Sequence, residues 1–111
     1  MGTVSDFASA YEEKLKIIRE LQPDARIIIM AIMFETTDYS ENETVYNNDN
    51  INAKNAAIAK LANGKDIFFL DMNPAVTDET GGLRSDISFD GVHMTAKYYY
   101  LWTDFMYAHG Y

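Results

Sequence analysis

Residues 26–34, Arg-Ile-Ile-Ile-Met-Ala-Ile-Met-Phe, are apolar almost without interruption and β-branched at the start. Such a run fits a parallel strand covered on both faces better than a strand with one wet face. A shorter run of the same kind, Ile67-Phe68-Phe69-Leu70, follows later. Between the two, residues 50–62 place Ile51, Ala56, Ile58, Leu61 and Ala62 at helical spacing, with Asp49 or Asn50 as cap and Asn63-Gly64 as the stop. Strand, helix, strand in that order is a βαβ unit with a right-handed crossover. The chain is therefore α/β. Two strands cannot cover each other's outer edges, so the sheet they make is incomplete.

Helices are predicted at both ends. From Ser5 to Leu21, the apolar positions Phe7, Tyr11, Leu15, Ile18 and Leu21 alternate with charged residues at helical spacing. Ser5 is placed to cap this helix, and Pro23 ends it, because the residue before proline is pushed out of the α region. From Thr95 to Ala108, Tyr98, Leu101, Trp102 and Phe105 share one helical face. Two polar segments interrupt the pattern. Residues 35–50 form a long loop, read either as a mobile surface excursion or as a cover for a binding site. Residues 77–86 form a turn-rich loop with a glycine pair.

Composition closes off several functions. Seventeen acidic against nine basic side chains leave a formal charge of −8. A field of that sign repels nucleic acid and anionic membrane surfaces, so neither is expected as a partner. The chain has no cysteine, which removes disulfides and thiolate metal sites and leaves the redox compartment illegible. No apolar run approaches the length needed to span a bilayer, and no basic n-region with an apolar h-region opens the chain. Gly2 after Met1 imitates a myristoylation start, but Asp6 stands where that signal needs Ser or Thr. The sequon Asn42-Glu43-Thr44 carries little weight without a secretory signal. Asp71, Asn73, Asp78 and Glu79 do not keep the spacing of a calcium loop, and neither metal nor cofactor is expected.

The residues best suited to chemistry lie at Ser88-Phe89-Asp90-Gly91-Val92-His93-Met94-Thr95. An imidazole takes a proton from a nucleophile, and a carboxylate beside it fixes the tautomer and steadies the cation. Asp90 and His93 are therefore candidates for half of a hydrolytic triad. The plainer reading of the same letters is an Asp-Gly surface turn with a chance histidine. His109, near the end of the chain, is read as incidental.

Residues 83–95, Leu-Arg-Ser-Asp-Ile-Ser-Phe-Asp-Gly-Val-His-Met-Thr, resemble the last block of the SGNH hydrolase superfamily, the GDSL-like lipases and acylhydrolases, whose hallmark is Asp-x-x-His. Ile18-Arg19 with residues 23–27, Asn55 in the following helix and Phe69-Leu70-Asp71 in the following strand also sit where that family would place them. The resemblance runs from about Ser5 to Phe105. It implies that His93 is a general base and Asp90 its orienting partner, in a flavodoxin-like three-layer fold of which this chain contributes two parallel strands and about three helices. The family's serine lies in Gly-Asp-Ser and its oxyanion asparagine in Gly-x-Asn-Asp, and neither motif occurs in the 111 residues. Asn47-Asn48-Asp49-Asn50 lacks the glycine, and Ser5, Ser9, Ser40, Ser85 and Ser88 lack a nucleophile's context. Tyr98 stands where the family often has glycine, which bears on helix packing.

Residues 1–111 are accordingly expected to be the C-terminal part of such an esterase domain, without its serine half and with little activity alone. The intact domain would act on a small-molecule or carbohydrate ester. The alternative is a non-catalytic α/β module that binds or assembles through its open strand edge. On either reading, self-association or pairing with an N-terminal half is expected.

Overall fold

The computed structural model describes residues 3–42, 47–88 and 90–110. The myristoylation start at Gly2, Phe89 of the Asp-His block, and parts of the sequon and of the 35–50 loop lie outside them.

Helix α1 spans Val4–Leu21. Its cap is Thr3 and not Ser5: the Thr3 hydroxyl accepts from the Asp6 N–H and the Asp6 carboxylate accepts from the Thr3 N–H, a reciprocal capping box. Arg19, in its last turn, closes the passage to the sheet. Its guanidinium donates to the carbonyls of Ala25 at 2.6 Å and Pro23 at 3.1 Å and pairs with the Asp66 carboxylate at 3.0 Å. One side chain thus ties the helix, the turn at Pro23 and the start of the second strand. Arg19→Ala is expected to lower unfolding free energy by about 2 kcal/mol, because several charge-assisted bonds at a half-covered site go at once. Urea unfolding followed by far-UV circular dichroism measures this, and an unchanged midpoint would dismiss the clamp.

Strand β1 covers Ile27–Met30 and pairs in parallel with β2, Ile67–Leu70, in the register Ile27 to Ile67 through Met30 to Leu70. The pairing stops four residues short of the predicted end at Phe34. Between the strands run α2, Thr37–Glu41, and α3, Asn48–Ala59, the latter capped by Asn47 where Asp49 or Asn50 was expected. The 35–50 loop is therefore not structureless, since α2 lies inside it. After β2 come the short helix α4, Asn73–Val76, a 3₁₀ turn at Ser85–Ile87, a second at Ala96–Tyr98, and α5, Tyr99–Ala108. The predicted three helices are α1, α3 and α5, and two short ones are added.

The layers are those of a partial flavodoxin-like fold. On one face of the sheet Ile29 packs with Leu15 of α1 and Ile58 of α3, and Ile27, Ile67 and Phe69 join this cluster. On the other, Met30 packs against Met72, Val76, Leu83, Ile87 and Met94, with Leu101, Trp102 and Phe105 of α5 over them. Full burial of both strands was predicted and is not observed: only Ile29 in β1 and Leu70 in β2 are buried. The reason is the edge. The Ile27 N–H donates to Asp66 and the Ala31 N–H to Leu70, so the odd-numbered residues of β1 face β2. Ile28 and Met30 turn their N–H groups the other way, where the two-stranded sheet has no neighbour. No helix among the described residues is long and apolar enough to cross a membrane.

Candidate active site

Past Met30 the chain stays extended, held by side chains in place of a strand. Asn55 of α3 gives its carbonyl to the Ile32 N–H at 2.7 Å and its amide to the Ile32 carbonyl at 2.9 Å. Asn73, at the start of α4, accepts from the Phe34 N–H at 2.8 Å and donates to the Ile32 carbonyl at 3.1 Å. Asn48 repeats the two-way contact on Glu35, at 2.7 and 2.9 Å. A primary amide offers one donor and one acceptor side by side, so each asparagine reproduces a strand neighbour's pair of bonds. Asn55 and Asn73 are buried, at 6% and 2% exposure.

This strap delivers the chain to the Asp90–His93 loop, where the Thr36 N–H donates to the Gly91 carbonyl at 2.8 Å. Gly91 has φ +87°, and a Cβ there would come within 3.0 to 3.1 Å of Tyr39 and Thr36, so the position needs glycine on both counts. The loop is closed at its base by an antiparallel bridge between Ser88 and Met94 and by the Thr95 N–H on the Ile87 carbonyl at 2.7 Å. Ser88 acts inside it: its hydroxyl donates to the His93 carbonyl at 2.7 Å and accepts from the Gly91 N–H at 2.9 Å. That hydroxyl is committed to shaping the loop.

Within this frame the two predicted site residues meet. Asp90 Oδ1 accepts from the N–H groups of Val92 at 2.8 Å and His93 at 2.7 Å, and Asp90 Oδ2 lies 2.7 Å from His93 Nδ1. The backbone N–H of His93, then its ring, then the N–H of Val92 hold the Asp90 carboxyl well below the usual carboxylate range. An ionised Asp90 makes Nδ1 the protonated nitrogen, which leaves the lone pair on Nε2. The imidazole is 72% exposed, turned out of the loop. Because the folded value of Asp90 is depressed, its stabilisation of the loop is complete above the ordinary carboxylate range and is lost only as pH falls through the depressed value. Carbon-detected NMR of the Asp90 carboxyl is expected to show no titration step near pH 4, and a step there would remove the assignment.

Beside the ring lies an apolar hollow of about 220 Å³ lined by Ala31, Met33, His93, Met94, Tyr99 and Trp102. Larger hollows, of about 450 Å³ each, lie between α1 and β2 and beside the N-terminus of α3, and neither includes Asp90 or His93. The smaller one is the hollow that the Asp90–His93 pair borders, with Met94, Tyr99 and Trp102 as its apolar wall. Asp71 and Asp78, of the calcium-like run, have local duties. Asp71 accepts from the Asn73 N–H and amide, and Asp78 accepts from the N–H and hydroxyl of Thr80.

Sequence reasoning missed the roles of Asn48, Asn55, Asn73, Ser88 and Trp102 here. Asn55 had been noted by position only. The Ser-x-x-Gly-x-His spacing was the one local signal that could have exposed Ser88.

A family model for the GDSL-like lipases and acylhydrolases matches residues 1–101. No curated protein matches. A solved structure from Streptococcus pneumonia, provisionally described as a platelet activating factor, superposes with a TM-score of 0.83 at 20% identity, over 97% of this chain and 52% of that one. The likeness is one of fold, and the chain spans about half the length of that structure. With the Asp-x-x-His loop in place and residues 1–101 of its 111 matched by the family model, the chain belongs to the GDSL-like lipase/acylhydrolase family.

Proposed function

We propose that this chain supplies the base half of a serine esterase, with His93 as general base and Asp90 as the residue that orients it. The observation that carries the proposal is the 2.7 Å contact between Asp90 Oδ2 and His93 Nδ1, with the ring exposed beside an apolar hollow. Residues 1–111 are then the C-terminal part of a hydrolase domain. The Gly-Asp-Ser nucleophile and the oxyanion donors come from further polypeptide, in the same chain or in a second one.

In the assembled site a serine Oγ, brought to His93 Nε2, attacks the ester carbonyl carbon while Nε2 takes its proton. The tetrahedral oxyanion collapses, the C–O bond to the alcohol breaks, and the imidazolium gives its proton to the departing alkoxide. Water then attacks the acyl-enzyme, with His93 taking a water proton and returning it to the serine oxygen. Asp90 stays ionised throughout, holding the tautomer and facing the imidazolium. The family's chemistry makes small-molecule esters the substrate class. The serines in view do not replace the nucleophile: Ser88 holds its loop, and the Ser40 hydroxyl accepts from the Asn48 N–H at 2.8 Å.

The second reading, a non-catalytic binding or assembly module, draws on the open edge of β1. Esterase assay of the chain alone and with a Gly-Asp-Ser half separates the two. The proposal requires hydrolysis that appears on mixing and depends on His93, while persistent inactivity with a bound partner favours the module.

A further inference from the structure

We propose that the polar hollow beside the N-terminus of α3 binds a neutral sugar ring, as an anchoring site separate from the Asp90–His93 pair. It stands on residues that the proposed function does not use, so neither reading depends on the other.

The hollow has a volume of about 450 Å³ and includes neither Asp90 nor His93. Small-molecule sites run from roughly 300 to 1,000 Å³, so a single ring fits. The catalytic loop is close by: Thr36 gives its N–H to the Gly91 carbonyl, and the next residue, Thr37, lines the hollow. The walls are braced before any ligand arrives. Asn48 holds the Glu35 backbone in both directions, and Ser40 accepts from the Asn48 N–H. Across the mouth the Thr37 and Thr80 hydroxyls are bonded to each other. Gly82 allows that approach, since a Cβ there would meet the Thr37 hydroxyl at 2.6 Å and the Glu35 carbonyl at 2.9 Å. Walls already fixed lose little further entropy on binding.

The ligand class follows from the groups that these bonds leave over. The Ser40 hydroxyl accepts, and its own proton has no acceptor among the described residues. Asn48 gives one amide hydrogen to Glu35 and keeps the other. The side chains of Asn52, one turn further along α3, and of Glu41 and Asp49 make no hydrogen bond or ion pair among the described residues. Uncommitted donors and uncommitted acceptors therefore share one hollow, and Phe34 adds an aromatic ring. An anion is repelled, because two carboxylates and no lysine or arginine line the site. A cation would suit the carboxylates, but the Ser40 proton and the amide hydrogens oppose it. A sugar hydroxyl is donor and acceptor at once. Neighbouring hydroxyls on one ring give protons to a carboxylate, in charge-assisted bonds, and take them from serine and asparagine. The C–H face of the ring then has Phe34 to pack on.

The test titrates the full 111-residue chain with D-glucose, D-galactose, D-mannose and D-xylose in turn and follows its amide NMR spectrum. Tetramethylammonium chloride and sodium phosphate serve as cation and anion controls. At least one of the sugars is expected to give saturable shifts at the Asn48 and Asn52 side-chain amides, with none at His93, and neither control reproduces them. Asn52→Ala removes a side chain that bonds to nothing else among the described residues, so the fold persists, and sugar binding weakens about tenfold. Glu41→Gln keeps the size and weakens it by a similar factor, because the acceptor loses its charge. The proposal is overturned if none of the four sugars saturates, if tetramethylammonium moves these amides and the sugars do not, or if binding is unchanged in both variants. Sugar shifts centred on His93 would place the ligand at the ester site and remove the separate one. Each of these results leaves the esterase reading to its own assay.

Discussion

Ester hydrolysis by the chain combined with a Gly-Asp-Ser half is expected to fall by roughly 10⁶-fold in His93→Ala, to a residue set by binding and the oxyanion donors, as in serine hydrolases generally. The size follows from what the ring does. It takes the serine proton and passes it to the departing alkoxide in the first half of the reaction, takes a water proton and passes it to the serine oxygen in the second, and the serine of its own loop, Ser88, has its hydroxyl tied to the His93 carbonyl. Asp90→Asn is expected to cost less, about 10⁴-fold, through the tautomer: an amide can donate to Nδ1, which moves the ring proton to Nε2 and leaves no base facing the serine. The substitution also weakens the Oδ1 contacts to the Val92 and His93 N–H groups by removing their charge. The p-nitrophenolate released from p-nitrophenyl acetate per mole of complex measures both. The chain by itself is expected to give no turnover above that of free imidazole. Turnover of the 111 residues alone that disappears in His93→Ala would mean that they hold a nucleophile, and the half-site reading would be wrong.

The parts of this site that could be read from sequence are those built from neighbours in sequence. Asp90 and His93 lie three apart in one loop, so their spacing alone brings them together, and the helical period of α1 and α5 depends on nothing outside those helices. The segment at 31–36 was illegible for the opposite reason. Its apolar letters extend the strand pattern, while its hydrogen bonds go to Asn48, Asn55 and Asn73, which are 13, 23 and 39 to 41 residues away in the chain. An asparagine that mimics a strand neighbour has no periodicity and looks like loop polarity or a helix cap. The two-strand count gave the open edge, but the apolar run hid its consequence for burial: such a run records the environment its residues suit, and among the described residues the sheet has no strand beyond Ile28 and Met30. The cap at Thr3 was legible, since Thr3 and Asp6 keep capping-box spacing, whereas Ser5 lies inside the first turn of the helix.

Asn73 carries the largest expected effect on stability. Asn73→Ala leaves the Phe34 N–H without an acceptor and takes one donor each from the Ile32 carbonyl and the Asp71 carboxylate. At 2% exposure water does not readily replace them. The expected loss is about 3 kcal/mol, a large part of the ~5–15 kcal/mol that holds a domain of this size. Asn73→Asp separates hydrogen bonding from volume. The carboxylate keeps an acceptor for Phe34, but it faces the Ile32 carbonyl and the Asp71 carboxylate where the amide had donated. Burial and that repulsion raise the new group's folded pKa above its unfolded value. Its favourable contribution is then present below the ordinary carboxylate range and lost as pH rises through the raised value. Urea unfolding should therefore find Asn73→Asp weaker than Asn73→Ala at pH 7 and recovering against it near pH 4.5. Equal deficits at both pH values would show that position 73 matters for its shape and not for the two-way bond that holds residues 32–34 against the site. Because the same strap carries Ala31 and Met33 past His93, a destabilised Asn73 variant rescued by low temperature should also bind the serine-bearing half more weakly.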